Sequence, residues 1–210
     1  MERYTDQYKV DVPVGQLGQW SIRRFTVSAE AAKFEELRAA ISSSRGRGVP
    51  EGTYTGLYHT QRGVVMSDTP DEISDHLGFI RSAHGHVLIA GLGLGMVTRA
   101  CLLTPEVQSV TVIELDADVI TLVSTWLSQV AERAGKVLTI VHADALIWKP
   151  AKGQRFHTAW YDIWDHLCGD NLETMKTLHR RYGKRCDEQG SWGRDLIEAR
   201  ERREAKERRK

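Results

Sequence analysis

The feature that most constrains this chain is residues 86–97, HVLIAGLGLGMV. The short apolar run reads as a buried strand, bounded as it is by glycine on both sides. It leads into Gly91, Gly93 and Gly95 at alternate positions, and then into a helical segment over 95–103. A strand–glycine–helix turn presents bare backbone N–H groups and a helix N-terminus to whatever lies beyond the strand. Glycine serves there because a Cβ would hold a ligand away. The competing reading is an ordinary tight turn between strand and helix.

From this point the sequence alternates. SVTVIEL is a strand and 116–133 a helix; VLTIV and FHTAWYDI are further strands. Strands apolar on both faces, alternating with helices, predict an α/β fold with a parallel sheet covered by helices. Before residue 86, two short strands are expected at 8–14 and 19–27, separated by Gly15 and Gly18. Ser28 caps a helix running to about residue 42, with Phe34, Leu37 and Ile41 on one face. SSSRGRGVPEG is a loop by composition, and 53–66 is extended. Thr69 caps the next helix, with Pro70 at its first position and Glu72 three after the cap. Ile73, Leu77 and Ile80 form its buried stripe.

After residue 165 the pattern fades. NLETMKTLHRRYG predicts a helix, but KRCDEQGSWG has no apolar run. The sheet is therefore expected to stop there or to continue weakly, truncated on its C-terminal side. From Arg194 the chain reads as a polar helix with opposite charges at i,i+4, Glu198–Arg202 and Glu204–Arg208. Three units are expected: a β-rich N-terminal segment with one helix (1–68), the cofactor-binding domain (69–190) and a charged helical tail (191–210).

Composition excludes some functions and leaves others open. The net charge of +1 singles out no partner, but residues 194–210 carry eight Lys or Arg against five Asp or Glu. Phosphate contacts by that tail are one reading, and nucleic acid is disfavoured by the interleaved glutamates. Cys101, Cys168 and Cys186 have no CxxC spacing, which suits a reducing compartment rather than a disulfide framework or zinc site. The charged start MERYTDQYKV has no apolar core of a signal peptide, so a cytoplasmic location is expected. No apolar run reaches the length of a membrane span. No metal site is expected; His84 and His86, flanking Gly85, read as turn residues. His142 and His166 are weak candidates for proton transfer, and Cys168 reads as a plain thiol.

Acids follow the glycines in order. Glu114 ends the next strand about twenty residues on, where a carboxylate can hold both ribose hydroxyls. The dinucleotide fingerprint wants its third glycine at position six, which here is Met96. That argues against NAD. Asp144 and Ala145, in HADA, fall at the carboxyl edge of the following strand, beside the same crevice. A solvated loop acid at 114 and a helix cap at 144 are the alternatives.

Taken together, VLIAGLGLG, VTVIELDADVI, HADA and FHTAWYDIWD resemble the successive motifs of the class I S-adenosylmethionine-dependent methyltransferase superfamily, and within it the spermidine synthase-like branch. RGVVMSDTPDE resembles that branch's segment before the glycine motif, so the likeness covers about residues 60–166. It implies a Rossmann-like sandwich binding S-adenosylmethionine or its decarboxylated form. Gly91, Gly93 and Gly95 would cradle the methionine end, Glu114 the ribose, and Asp144 with Ala145 the adenine. The branch's aspartate within the glycine motif is Leu94 here, and its tyrosine in the preceding helix is replaced by Asp75.

The resemblance also matches Asp162 and Asp165 to an Asp-x-x-Asp pair at a strand end. Because a sulfonium is already a good leaving group, the enzyme needs chiefly to align a nucleophile and remove its proton. Asp162 is expected to orient or deprotonate an amine, and Asp165 to bind a second cationic group. A helix-capping Asp162 is the alternative. Trp160, Tyr161 and Trp164 are expected to wall the pocket, or else to belong to the core. The expected function is methyl transfer to a small amine-bearing acceptor. Aminopropyl transfer and a degenerate cofactor-binding module remain alternatives, and a short sheet with an open edge makes a homodimer one expectation.

Overall fold

The computed structural model describes residues 3–41 and 48–207. It contains two sheets. The N-terminal sheet is antiparallel, in the order β1 (Gly15–Leu17), β2 (Trp20–Val27), β3 (Gly52–His59), β4 (Gly63–Ser67). The second is a five-stranded parallel sheet built from β5 (Gly85–Ala90), β6 (Val107–Glu114), β7 (Val137–His142), β8 (Phe156–Tyr161) and β9 (Cys186–Ser191). Its order is β7-β6-β5-β8-β9, with every pairing parallel. The chain thus winds outward from β5 in one direction and then, after β7, in the other. This is the Rossmann-like arrangement, with its switch point between β5 and β8.

Helices cover both faces. Among the described residues the α-helices are α1 (Ala29–Ile41), α2 (Pro70–Ser82), α3 (Met96–Leu103), α4 (Ala117–Arg133), α5 (Asn171–Tyr182) and α6 (Arg194–Glu207). Alternation along β5 shows why the strands read as continuous apolar runs. Val87 and Ile89 pack with α2, α3 and α4, while Leu88 and Ala90 pack with Leu178 and Tyr182 of α5. All four strand residues are buried.

Several local expectations are corrected. Residues 9–14 form no ladder; β1 begins at Gly15, which is a strand residue and not a separator. Side chains satisfy that stretch instead. Val10 N–H donates to Asp68 Oδ2 at 3.0 Å, and Arg24 donates to the Val10 and Val12 carbonyls at 2.9 and 3.0 Å. Ser28 does cap α1, its Oγ accepting from Ala31 N–H at 3.2 Å, but Phe34 and Leu37 lie exposed. Glu72 makes no capping box; it reaches back past Thr69 to Ser67. The residues read as a weak strand form β9, paired with β8 from Phe156↔Cys186 to Tyr161↔Ser191. In α6, Glu198 pairs with Arg194 and Arg202, while Ile197 is buried with Leu172 and Met175 of α5. The expected Glu204–Arg208 pair and loop residues 42–47 lie outside the described residues.

The N-terminal sheet docks onto the start of α4. Trp20 Nε1–H donates to Asp116 Oδ2 at 2.7 Å, while Asp116 Oδ1 accepts from Asp118 N–H at 2.9 Å and caps α4. Trp126 Nε1–H donates to Asp11 Oδ1 at 2.9 Å. These bonds set the antiparallel sheet over the carboxyl edge of the parallel one. No helix among the described residues is long and apolar enough to cross a membrane.

Candidate active site

A cavity of about 330 Å³ lies at the carboxyl edge of β5, β6, β7 and β8, where ligands bind in open α/β sheets. The N-terminal sheet contributes Trp20, Leu57 and Met66 to its wall. Its lining is acidic: Glu72, Glu114, Asp116, Asp144, Asp162 and Asp165 all reach it. Among the described residues, Arg62 and His76 are the nitrogen bases that line it.

The glycines occupy the turn from β5 into α3. All three have positive φ: 97° at Gly91, 50° at Gly93 and 75° at Gly95. A Cβ on Gly91 would collide with the carbonyl oxygen of Asp162, and one on Gly93 would come within 2.5 Å of Met66 Sδ. On Gly95 it would press on Val123 and Leu127 of α4 at 3.0 Å. Side chains are therefore excluded by the protein's own packing as well as by backbone conformation. Gly91 and Gly93 line the cavity; Gly95 turns towards α4 and does not. Leu94 is fully buried.

Glu114 is held rigidly. Its Oε2 accepts from Leu92 N–H and its Oε1 from Asp116 N–H, both at 2.8 Å, so one carboxylate ties the glycine loop to the start of α4. Asp144 Oδ1 accepts from Leu146 N–H at 2.7 Å and closes the turn after β7. Residues 145–147 form a turn rather than a helix, so Asp144 is not the helix cap named as its alternative, and it lines the cavity beside Ala145. Ala145 is buried, with its carbonyl accepting from Tyr182 OH at 2.6 Å.

Asp162 follows β8 directly, its N–H donating to Ala90 O at 2.8 Å across the switch point. Its side chain retains 20% exposure and lines the cavity. Burial pushes its carboxyl up to about 7, helped by the negative charges of Glu72 and Asp75. Glu72 is also raised to about 7, chiefly by burial. The two hydrogen bonds from Ser67 pull it the other way, and Asp75 and Asp68 add to the rise. His76 is 3% exposed; its Nε2 lies 3.7 Å from Asp162 Oδ2, and its Nδ1 accepts from Trp160 Nε1–H at 3.2 Å. Asp75 Oδ2 accepts from Trp192 Nε1–H at 3.4 Å.

Asp165 does not wait for a ligand's cation. Arg62, from the turn between β3 and β4, pairs with it at 2.6 Å and lies over the Trp20 ring at 4.7 Å. Trp160 and Trp164 line the cavity, but Tyr161 does not. Successive strand residues point to opposite faces, so Tyr161 enters the α5 core and donates to Gln189 Oε1 at 2.9 Å. His142 Nε2 meets the Leu115 carbonyl at 3.0 Å, away from Asp162. His84 and His86 stand at the opposite edge of the sheet, their rings in tilted contact with His157.

Reading the sequence missed Glu72, His76, Arg62 and Trp192 as cavity residues. One signal was available: Glu72 and His76 are four apart, on one face of α2 and next to its apolar stripe. Arg62 and Trp192 carried no local signal, because only tertiary packing brings them to the cavity.

No protein-family model and no curated protein matches the chain. Partial likenesses to solved structures exist. One is the methyltransferase domain of a bacterial Hen1, with TM-score 0.41 and 15% identity over 52% of this chain and 61% of that one. A second is the glycopeptide N-methyltransferase MtfA complexed with sinefungin, with TM-score 0.39 and 21% identity over 54% and 44%. A third is an S-adenosylmethionine-dependent methyltransferase from Clostridium acetobutylicum, with TM-score 0.39 and 11% identity over 55% and 44%. Each match spans less than two thirds of the other chain, and the reading of the site rests on the cavity's own geometry.

Proposed function

We propose that this protein transfers a methyl group from S-adenosylmethionine to a small amine-bearing acceptor. The observation that carries the reading is the concentration of carboxylates at the switch point. Glu114 and Asp144 close the ends of neighbouring strands, and the half-buried Glu72 and Asp162 line the same cavity. An acidic, partly apolar cavity of this size suits a cationic nucleoside. Leu115 and Leu146 between the two strand-end acids offer apolar surface for a base. Glu114 keeps unshared lone pairs for sugar hydroxyls while its backbone bonds fix its position.

S-adenosylmethionine, when bound, supplies an electrophilic methyl carbon on a sulfonium that departs as a neutral thioether. Asp162 and Glu72 attract an ammonium into the cavity and take its proton, leaving a nucleophilic amine. A carboxyl near neutrality is suited to this, being an effective proton acceptor without being fully protonated at pH 7. Trp160 and Trp164 exclude water from the reacting face. The acceptor's second cation is not required, since Arg62 already neutralises Asp165.

Titration calorimetry with S-adenosylmethionine, its decarboxylated form, S-adenosylhomocysteine and NAD tests the reading. Binding of the first and third, weakened about tenfold or more by Glu114→Gln, is the expected result. Preference for the decarboxylated form would turn the assignment to aminopropyl transfer within the spermidine synthase-like branch. Binding of NAD alone, or of none of the four, would overturn it.

A further inference from the structure

Behind Asp162 a chain of side chains runs through His76 to Trp160, and its geometry dictates a protonation state. We infer that Trp160 locks His76 as a neutral imidazole with its proton on Nε2, aimed at Asp162, so that His76 is the positioning residue of that carboxylate.

The Trp160 indole sets the direction of this chain. Its N–H is a donor only. It points at His76 Nδ1 from 3.2 Å, so Nδ1 must be the acceptor and the ring proton must sit on Nε2. Nε2 faces Asp162 Oδ2 at 3.7 Å, longer than a hydrogen bond and within reach of one after a small rotation. Trp160 is itself held, because its ring stacks on Phe79 with centroids 5.0 Å apart and planes 17° apart. Adding a second proton at Nδ1 would set N–H against N–H and place a charge in a nearly closed space. Burial accordingly lowers His76 to about 4, against the opposing pull of Asp75.

The charged and titratable groups about this chain come from each packed element. Glu72 and Asp75 belong to α2, Asp162 follows β8, and the Arg62–Asp165 pair stands at the mouth. The segment after β9 contributes Trp192, which does not titrate. Three carboxylates beside one imidazole would ordinarily draw a proton onto it. The Trp160 bond opposes that, and the site keeps its proton-accepting capacity on Asp162. His76 then steers the carboxylate without an imidazolium to strip it of basicity.

The inference rests on the transfer reading only for what Asp162 does, so its first test is not an activity. Long-range ¹H–¹⁵N spectra of the histidine-labelled protein report tautomer and charge for each ring, and the signal lost in His76→Gln identifies His76. The expected result is an Nε2–H tautomer that stays neutral down to about pH 5. Trp160→Phe preserves the stack on Phe79 and removes the N–H. In that variant the titration midpoint of His76 should rise by about one unit or more. If methyl transfer is detected, the acidic limb of its pH profile should move down in Trp160→Phe. In His76→Gln, which retains a donor and an acceptor, the limb should stay nearer the wild type than in His76→Leu.

An Nδ1–H tautomer in the wild type, a His76 titrating near 6.5, or spectra unchanged by Trp160→Phe would each overturn the inference. Should Trp160→Phe fail to fold, the wild-type tautomer and the Gln–Leu contrast still decide it. If no acceptor is ever methylated, the transfer reading falls while the spectra still judge the lock.

Discussion

The two edges of the parallel sheet carry similar residue types and handle them oppositely. At the amino edge, His84, His86 and His157 cluster, with His86 N–H donating to His157 Nδ1 at 2.9 Å and His86 Nδ1 paired with Ser109 Oγ at 2.8 Å. His86 is exposed, and the other two are only half-buried. At the carboxyl edge, His76 is buried beside Asp162; burial raises the Glu72 and Asp162 carboxyls to about 7 and lowers the His76 imidazole to about 4. The difference teaches that ionisable groups acquire unusual chemistry when the fold withholds water from them. The carboxyl edge is roofed by the N-terminal sheet through Trp20–Asp116.

The sharpest way to break this contrast is Asp162→Asn. Transfer should fall by about 10²–10⁴-fold. The same variant should be more stable than the wild type at pH 8, by on the order of 3 kcal/mol. The sign follows from the raised carboxyl. Its contribution to stability is fully present below its unfolded value, near 3.8, and is lost as pH rises through about 7. The advantage of the amide should therefore shrink below pH 7 and vanish near 4, as chemical denaturation across pH will show.

Gly91→Ala tests whether the glycine loop is a packing requirement. With φ at 97° and the Asp162 carbonyl in the way, it should cost about 2–4 kcal/mol in thermal or denaturant unfolding. A tolerated alanine would mean that the close approach of β5 and β8 is not needed. Arg62→Ala should cost less than about 1 kcal/mol, since the Arg62–Asp165 pair is well exposed. Its larger consequence should be for ligands: releasing Asp165 should tighten binding of a dicationic acceptor relative to a monocationic one. At the amino edge, His86→Ala should change stability by no more than about 0.5 kcal/mol and leave calorimetric cofactor affinity as it was. A loss of affinity there would break the comparison outright.

Much of the fold was legible. The apolar runs of β5 and β6 and the stripe of α2 are set by periodicity, and burial of Val87, Ile89, Val112, Ile73 and Ile80 follows from it. β9 was nearly invisible, because CDEQGS forms an edge strand whose ladder needs no apolar side chains. The first strand was displaced because Asp68 and Arg24, distant in sequence, bond the backbone of residues 10–12. Phe34 and Leu37 share a face of α1, as their spacing predicts, but lie exposed, because helical spacing reveals a face and not whether anything covers it.

The sequence by itself determined the order of the parts: a strand entering glycines, acids at the ends of the next strands, and a carboxylate after β8. Local periodicity and turn chemistry suffice for that, since they act within a few residues. Only the tertiary structure decided what surrounds each part. It set Asp162 carbonyl against Gly91, gave Asp165 to Arg62, turned Tyr161 away from the cavity and enclosed His76 between Trp160 and Asp162. Burial and partnership are properties of groups far apart in the chain, and in this protein they raise the Glu72 and Asp162 carboxyls to about 7.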